Sequence, residues 1–182
     1  MTAAEEKLLT GQLQSPEQQR QAFDQVVRKY QRVLYYHIRR LVVSHDDADD
    51  VLQNTLLKAW KNLGSFRGDA SVKTWLYRIA TNESLTYLEQ KKRRYHQDVE
   101  GLENDLRHSL QGGAYINGDE LQLKLHNAIL TLPDRQRAVF NMRYFDEMKY
   151  EEIADVLGVT VGALKASYHH AAHKIEAFIT AS

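Results

Sequence analysis

Apolar side chains recur at three- and four-residue intervals along almost the whole chain, and only two prolines, Pro16 and Pro133, interrupt it. Residues at i, i+3, i+4 and i+7 share one side of a 3.6-residue turn, so this pattern specifies helices that each bury one face. Phe23, Val26, Val27, Tyr30, Val33, Leu34, Ile38 and Leu41 make one stripe. Val51, Leu52, Leu56, Ala59, Trp60 and Leu63 make a second. The period-two alternation of half-buried strands is scarce. The expected fold is all-α, with two small helical domains joined by a flexible linker.

Punctuation between the stripes sharpens the boundaries. SHDDADD, Ser44 to Asp50, offers Ser and Asp caps for the second helix, and its carboxylates favour that helix's positive end. Gly64 to Ser71 breaks the pattern, after which Ser71 is placed to cap a third helix running to about Glu89. Lys91 to Arg94, KKRR, suits the negative pole of that helix. Residues 1–19 are expected to be a tail and 20–95 the first domain. From 96 to 120 the periodicity fades, and QGGAYINGD, Gln111 to Asp119, is turn-forming. This stretch is expected to be a flexible linker carrying a short helix around Leu102 to Leu110. Periodicity resumes at Leu121 and stops at Leu132-Pro133. Asp134 is then a candidate cap for DRQRAVFNMRYF, and two more helices follow in the second domain, 121–182.

At 182 residues the chain suits one ordinary domain or two small ones, and 43% hydrophobic with 26% charged residues is a globular composition. The absence of cysteine excludes disulfides, thiolate metal sites and cysteine nucleophiles. No apolar run approaches the roughly 20 residues of a membrane span, and acidic residues stand where a signal peptide needs a basic flank. Cytosolic location without membrane insertion is expected. Zero net charge hides an asymmetry: fifteen basic against eight acidic side chains over 20–95, then one against six over 96–121. A basic block followed by an acidic stretch suggests a module that binds a polyanion beside a segment that avoids or competes for that surface.

YEEIADVLGVTVGALKASYHH, Tyr150 to His170, has the layout of a helix-turn-helix, whose second helix lies in the DNA major groove. Gly158 suits a left-handed cap and Thr160 an N-cap. Leu164, Tyr168, Ala171 and Ile175 cluster on one side of the last helix, and Lys165, Ala166, His169, His170 and His173 spread over the other. Donors and a small residue suit phosphates and base edges; a plain two-helix packing unit with a solvated face is the alternative. His169 and His173, at i and i+4, have metal-ligand spacing, but no Glu follows His169 as in HExxH and no third ligand stands nearby. Neither a metal nor a cofactor is called for, and donation to DNA is the expected use of these imidazoles.

SFRGDASVKTWLYRIATN, Ser65 to Asn82, sets a charged, glycine-containing loop against an aromatic-rich helix start. Asn82 falls within about 20–60° of Trp75 and Ile79 around that helix. An amide buried there without a partner would cost roughly 1–3 kcal/mol. A nucleic-acid base would satisfy it, with Phe66 as one wall; so would the loop backbone, and residue chemistry alone leaves the two equal.

DADDVLQNTLLKAWKNLGSFRGDASVKTWLYRIATN with KKRR behind it, then LPDRQRAVFNMRYFDEMKYEEIADVLGVTVGALKASYHHAAHKIE, resembles the bacterial extracytoplasmic-function sigma factors across nearly all of residues 20–180. The resemblance implies an initiation subunit of RNA polymerase, not an enzyme by itself, with a promoter-melting domain (region 2), a linker and a helix-turn-helix domain (region 4). It implies that the helix matching Asp47 to Trp60 docks on core polymerase, with Asp50, Gln53, Asn54 and Leu57 as contacts; many relatives carry an acid where Asn54 stands. It implies that a base flipped from the non-template strand of the −10 element is captured by Asn62, Phe66, Ile79 and Asn82. Basic side chains such as Arg67 and Lys73 are then expected to hold phosphates. Trp75, in the TWL motif, is expected to be mainly core. It implies that the −35 element is contacted by Lys165, Ala166, His169 and His170; relatives often have arginine at the first and last of these. Core polymerase, promoter DNA and an anti-sigma factor are the expected partners.

Overall fold

Eight α-helices and one 3₁₀ turn make up the regular structure of the described residues, 3–95 and 120–181 of a computed structural model, and no strand occurs among them. All but the last residue of the expected linker, and the short helix expected around Leu102 to Leu110, lie outside the described residues. The chain divides into two compact units, one formed mainly by residues up to Ser84 and the other mainly by those from Leu85 onward.

The first unit is framed by α1 (Ala3–Gln14), α2 (Gln19–Val42), α3 (His45–Lys61), the 3₁₀ turn Leu63–Ser65 and α4 (Val72–Tyr95). On α2 most of the expected stripe turns inward: Phe23, Val26, Tyr30, Leu34, Ile38 and Leu41 are buried and Val27 half-buried, but Val33 faces solvent. The helix ends where Val43 adopts φ 71°, a conformation that crowds a β-branched side chain, and its N–H closes on the Arg39 carbonyl at 3.0 Å. Ser44 then caps α3, its Oγ accepting from the Asp47 N–H at 3.4 Å. Ala48, Val51, Thr55 and Ala59 face inward from α3, which packs against α2. Trp60, assigned to the apolar stripe, is 41% exposed; its ring lies 5.3 Å from that of Phe23 at the edge of the core.

Residues 1–19, expected to be a tail, contain a full helix. Two leucines one turn apart explain it: Leu9 and Leu13 are both buried, and they seat α1 on α2 and on the 3₁₀ turn. A polar lock joins α2 to α4, with His37 Nε2 2.9 Å from Thr81 Oγ1 and the His37 ring 4.8 Å from that of Tyr77. Both His37 and Thr81 are fully buried, where hydrogen bonding offsets the cost of desolvation.

The remaining helices are α5 (Glu120–Leu130), α6 (Asp134–Tyr144), α7 (Tyr150–Leu157) and α8 (Val161–Ala181), all in the second unit save the last turn of α7. Six consecutive residues of α6, Arg137 to Met142, are buried, so the middle of this helix is enclosed on every side. Ala128, Ile129, Leu132, Phe140, Ala171 and Ile175 form the core cluster. Asp134 does not cap α6. Pro133 occupies the cap position, and the Asp134 carboxylate instead accepts from Arg137 Nη2 at 3.1 Å. That pairing serves a mostly buried guanidinium, whose pKa burial lowers and Asp134 raises.

Candidate nucleic-acid interface

The loop between the 3₁₀ turn and α4 is fixed at both ends. Leu63 is buried and its carbonyl accepts from the Phe66 N–H at 3.0 Å. Ser71 caps α4 as expected: its Oγ accepts from the Thr74 N–H at 3.0 Å and its carbonyl from the Trp75 N–H at 2.9 Å. Gly68 turns the chain with φ 80°, a conformation glycine adopts without penalty. Phe66 points inward, 6% exposed, with its ring centroid 4.8 Å from that of Trp75.

Along α4, Trp75, Ile79 and Asn82 share one stripe, and all three line a pocket with Phe66, Arg67, Asp69, Arg78, Lys58 and Glu83. Trp75 and Ile79 are half-buried, whereas Asn82 is exposed, contrary to the expectation of a buried amide. The side-chain amide of Asn82 makes no hydrogen bond among the described residues. Lys58 Nζ meets Glu83 Oε1 at 2.6 Å on the same wall. An apolar floor, an amide that both donates and accepts, and flanking cations suit an unstacked base with its phosphates.

Of the six residues assigned to this function, Phe66, Arg67, Ile79 and Asn82 come together at the pocket. Asn62 and Lys73 are not among its lining. Asn62 ends α3, its carbonyl accepting from Ser65 Oγ at 2.8 Å, and Lys73 places its ammonium 5.5 Å from the Tyr77 ring. Sequence reasoning missed the Lys58–Glu83 pair. Its members are 25 positions apart on different helices, and no local pattern announces such a pair.

On α3, Asp50, Gln53, Asn54 and Leu57 form one exposed stripe opposite the buried face. Leu57 is 57% exposed, an apolar side chain presented on a polar surface. Further along the chain α7, a three-residue turn and α8 form the anticipated helix-turn-helix. Gly158 takes φ 67°, with the Val159 N–H donating to the Ala154 carbonyl at 3.3 Å. Thr160 Oγ1 caps α8 by accepting from the Ala163 N–H at 3.2 Å. Lys165, Ala166, His169 and His170 are exposed together, while Leu164, Ala171 and Ile175 are buried. The Lys165 ammonium rests 5.9 Å from the Tyr150 ring, and the His169 and His170 rings are 6.0 Å apart. Tyr168, half-buried, stacks on Phe140 with ring centroids 5.5 Å apart; burial is the main cause of its raised hydroxyl pKa. No group of three metal-ligating side chains occurs among the described residues.

Comparison with known proteins places this architecture. Residues 26–94 match the model of sigma-70 region 2 and residues 122–175 that of sigma-70 region 4. The RNA polymerase sigma-H factor of Pseudomonas aeruginosa is 34% identical over 167 residues, covering 86% of each chain. The ECF RNA polymerase sigma-E factor of Escherichia coli is 33% identical over 181 residues, covering 94% of this chain and 92% of the relative. Among solved structures, that of sigma factor RpoE in complex with the anti-sigma factor NepR from Bartonella quintana has a TM-score of 0.65 at 22% identity, covering 87% of this chain and 96% of the other. The chain belongs to the extracytoplasmic-function sigma factors of RNA polymerase. Such proteins are transcription-initiation factors and not catalysts in themselves. Among the described residues no helix is long and apolar enough to cross a membrane.

Proposed function

We propose that this sigma factor, acting in the cytoplasm, docks on core polymerase through Asp50, Gln53, Asn54 and Leu57 and captures an extruded −10 base against Phe66, Ile79 and Asn82. Arg67 holds nearby phosphates. Residues 20–95 carry these tasks, 96–120 act as a linker, and 121–182 place Lys165, Ala166, His169 and His170 on the −35 element. An anti-sigma partner fits the same reading, because the solved relative RpoE carries one.

The observation that carries this reading is the accessible, unpartnered amide of Asn82 above the apolar surface of Phe66, Trp75 and Ile79. Taking a base out of the stack costs a few kcal/mol, so a pocket that accepts only the extruded base shifts the duplex toward melting. The test is run-off transcription with core enzyme on genomic fragments. Asn82→Ala is expected to impair promoter opening more than core binding, and Gln53→Ala the reverse. Equal effects in both assays, or specific promoter binding by the free protein with no core complex, would refute the assignment.

A further inference from the structure

The helix α1 lies before the residues that match region 2, yet it touches the pocket loop at three successive points. Glu6, Thr10 and Gln14 recur every fourth residue and so share one face of the helix. Glu6 Oε1 accepts from the Val72 N–H at 2.7 Å, satisfying one of the free donors at the start of α4. Thr10 stands against Gly68 so closely that a Cβ there would lie 2.8 Å from Thr10 Cγ2. Gln14 Nε2 donates to the Phe66 carbonyl at 3.2 Å. The intervening residues, Arg67 to Ala70, make no hydrogen bond among the described residues, so the loop has little of its own to hold its shape. Leu9 and Leu13, both buried, anchor the helix that supplies these contacts.

We propose that α1 is a brace for base selection. Glu6, Thr10 and Gln14 are positioning residues that set the course of the loop, and through Phe66 the width of the pocket. This rests on the pocket's role in base capture. A loop free to move by an ångström would still attract DNA through its charges, but would accept different bases more equally. Selection therefore depends on α1 more than affinity does.

The test uses holoenzyme assembled with core polymerase and single-stranded non-template oligonucleotides spanning the −10 element of a transcribed promoter. Each of the four bases is placed in turn at the captured position, and affinity is read by fluorescence anisotropy. The substitutions are Gln14→Ala, Glu6→Ala and the two together. Gln14 is exposed and alanine favours helix, so the first variant keeps α1 intact. The expected result is a loss of about tenfold in the preference for the cognate base in the double variant and a smaller loss in Gln14→Ala. Core affinity should stay within about twofold. Unchanged preference in all three variants overturns the brace while leaving the pocket reading intact. Parallel loss of core affinity and preference also overturns it, because α1 would then serve only the stability of the unit. An unmodified holoenzyme with no preference at that position defeats the pocket reading and the brace with it.

Discussion

The rings of Phe66 and Trp75 meet with centroids 4.8 Å apart and planes tilted by 36°, so a loop residue and a helix residue cover one another beside Asn82. Offset aromatic pairs of this kind contribute about 0.5–1.5 kcal/mol beyond the area they bury. Trp75→Ala removes the partner of a buried phenylalanine and is expected to destabilise the first unit by about 2–3 kcal/mol. That is below the ~3–5 kcal/mol of a fully buried aromatic, because Trp75 is only half-buried. Trp75→Phe should recover most of the loss. Chemical denaturation followed by circular dichroism measures both.

Glu83 holds the Lys58 ammonium at 2.6 Å on the pocket wall, and both groups keep contact with solvent. Such a pair adds little to folding, under about 1 kcal/mol, but it places a carboxylate where the proposed ligand is anionic. Glu83→Gln removes that repulsion and releases Lys58 toward a phosphate. Holoenzyme should bind non-template strand more tightly at low salt, with the salt slope steeper by about 0.7, one added contact on a single strand. A titration across sodium chloride concentrations decides it, and unchanged slope and affinity would count against the assigned position of the DNA.

Tyr30 couples α2 to the brace electrostatically. Burial first, and the Glu6 carboxylate second, push its hydroxyl up to about 12 from 10.0. The unfolded chain therefore loses this proton at a lower pH than the folded one. Stability contributed by the neutral hydroxyl is complete below pH 10 and is lost as pH rises from 10 toward 12. Tyr30→Phe is expected to flatten the decline in unfolding free energy across that window. Denaturant melts at intervals between pH 9 and about 11.5 measure the difference.

The helices themselves were legible because burial imposes the 3.6-residue period on residues such as Phe23, Val26, Tyr30 and Leu34, whose partners need not be known. Ser44, Ser71 and Thr160 were legible as caps, since a hydroxyl two or three residues ahead of an N–H meets it by local geometry alone. What escaped depends on residues far apart in the chain. The N-terminal helix owes its place to Leu9, Leu13 and contacts with a loop over fifty residues away. Periodicity placed Asn82 beside Trp75 and Ile79, but its exposure depends on the course of a loop that no local pattern specifies. Asp134 looked like a cap until the needs of buried Arg137 claimed its carboxylate.

Gly158 separates conformational from steric cost. Its φ of 67° lies in the left-handed region, yet a Cβ there would meet nothing within 4 Å. Gly158→Ala therefore carries only the backbone penalty, about 1 kcal/mol. The expected outcome is a small drop in stability and no change in −35 base preference, read by thermal denaturation and by competition binding of holoenzyme to duplex promoters. A loss much above 2 kcal/mol would mean that the turn has other neighbours.

Lys165 offers the sharpest test of the helix-turn-helix face. Its ammonium lies over the ring of Tyr150, the first residue of α7, at 5.9 Å, which draws it toward the preceding helix. A lysine donating to a base edge and one resting on a phosphate differ in what their loss does. The first weakens discrimination at one base pair by about 1–3 kcal/mol; the second lowers affinity for every sequence and reduces the salt slope by about 0.9. Lys165→Ala is expected to give the first pattern, confined to one pair of the −35 element, in holoenzyme competition binding against a set of singly substituted duplexes. Lys174, whose ammonium is engaged by Gln136 Oε1 at 3.0 Å, provides the contrast. Lys174→Ala should leave both discrimination and salt slope unchanged, and an equal effect from the two substitutions would show that only general positive charge is sensed there.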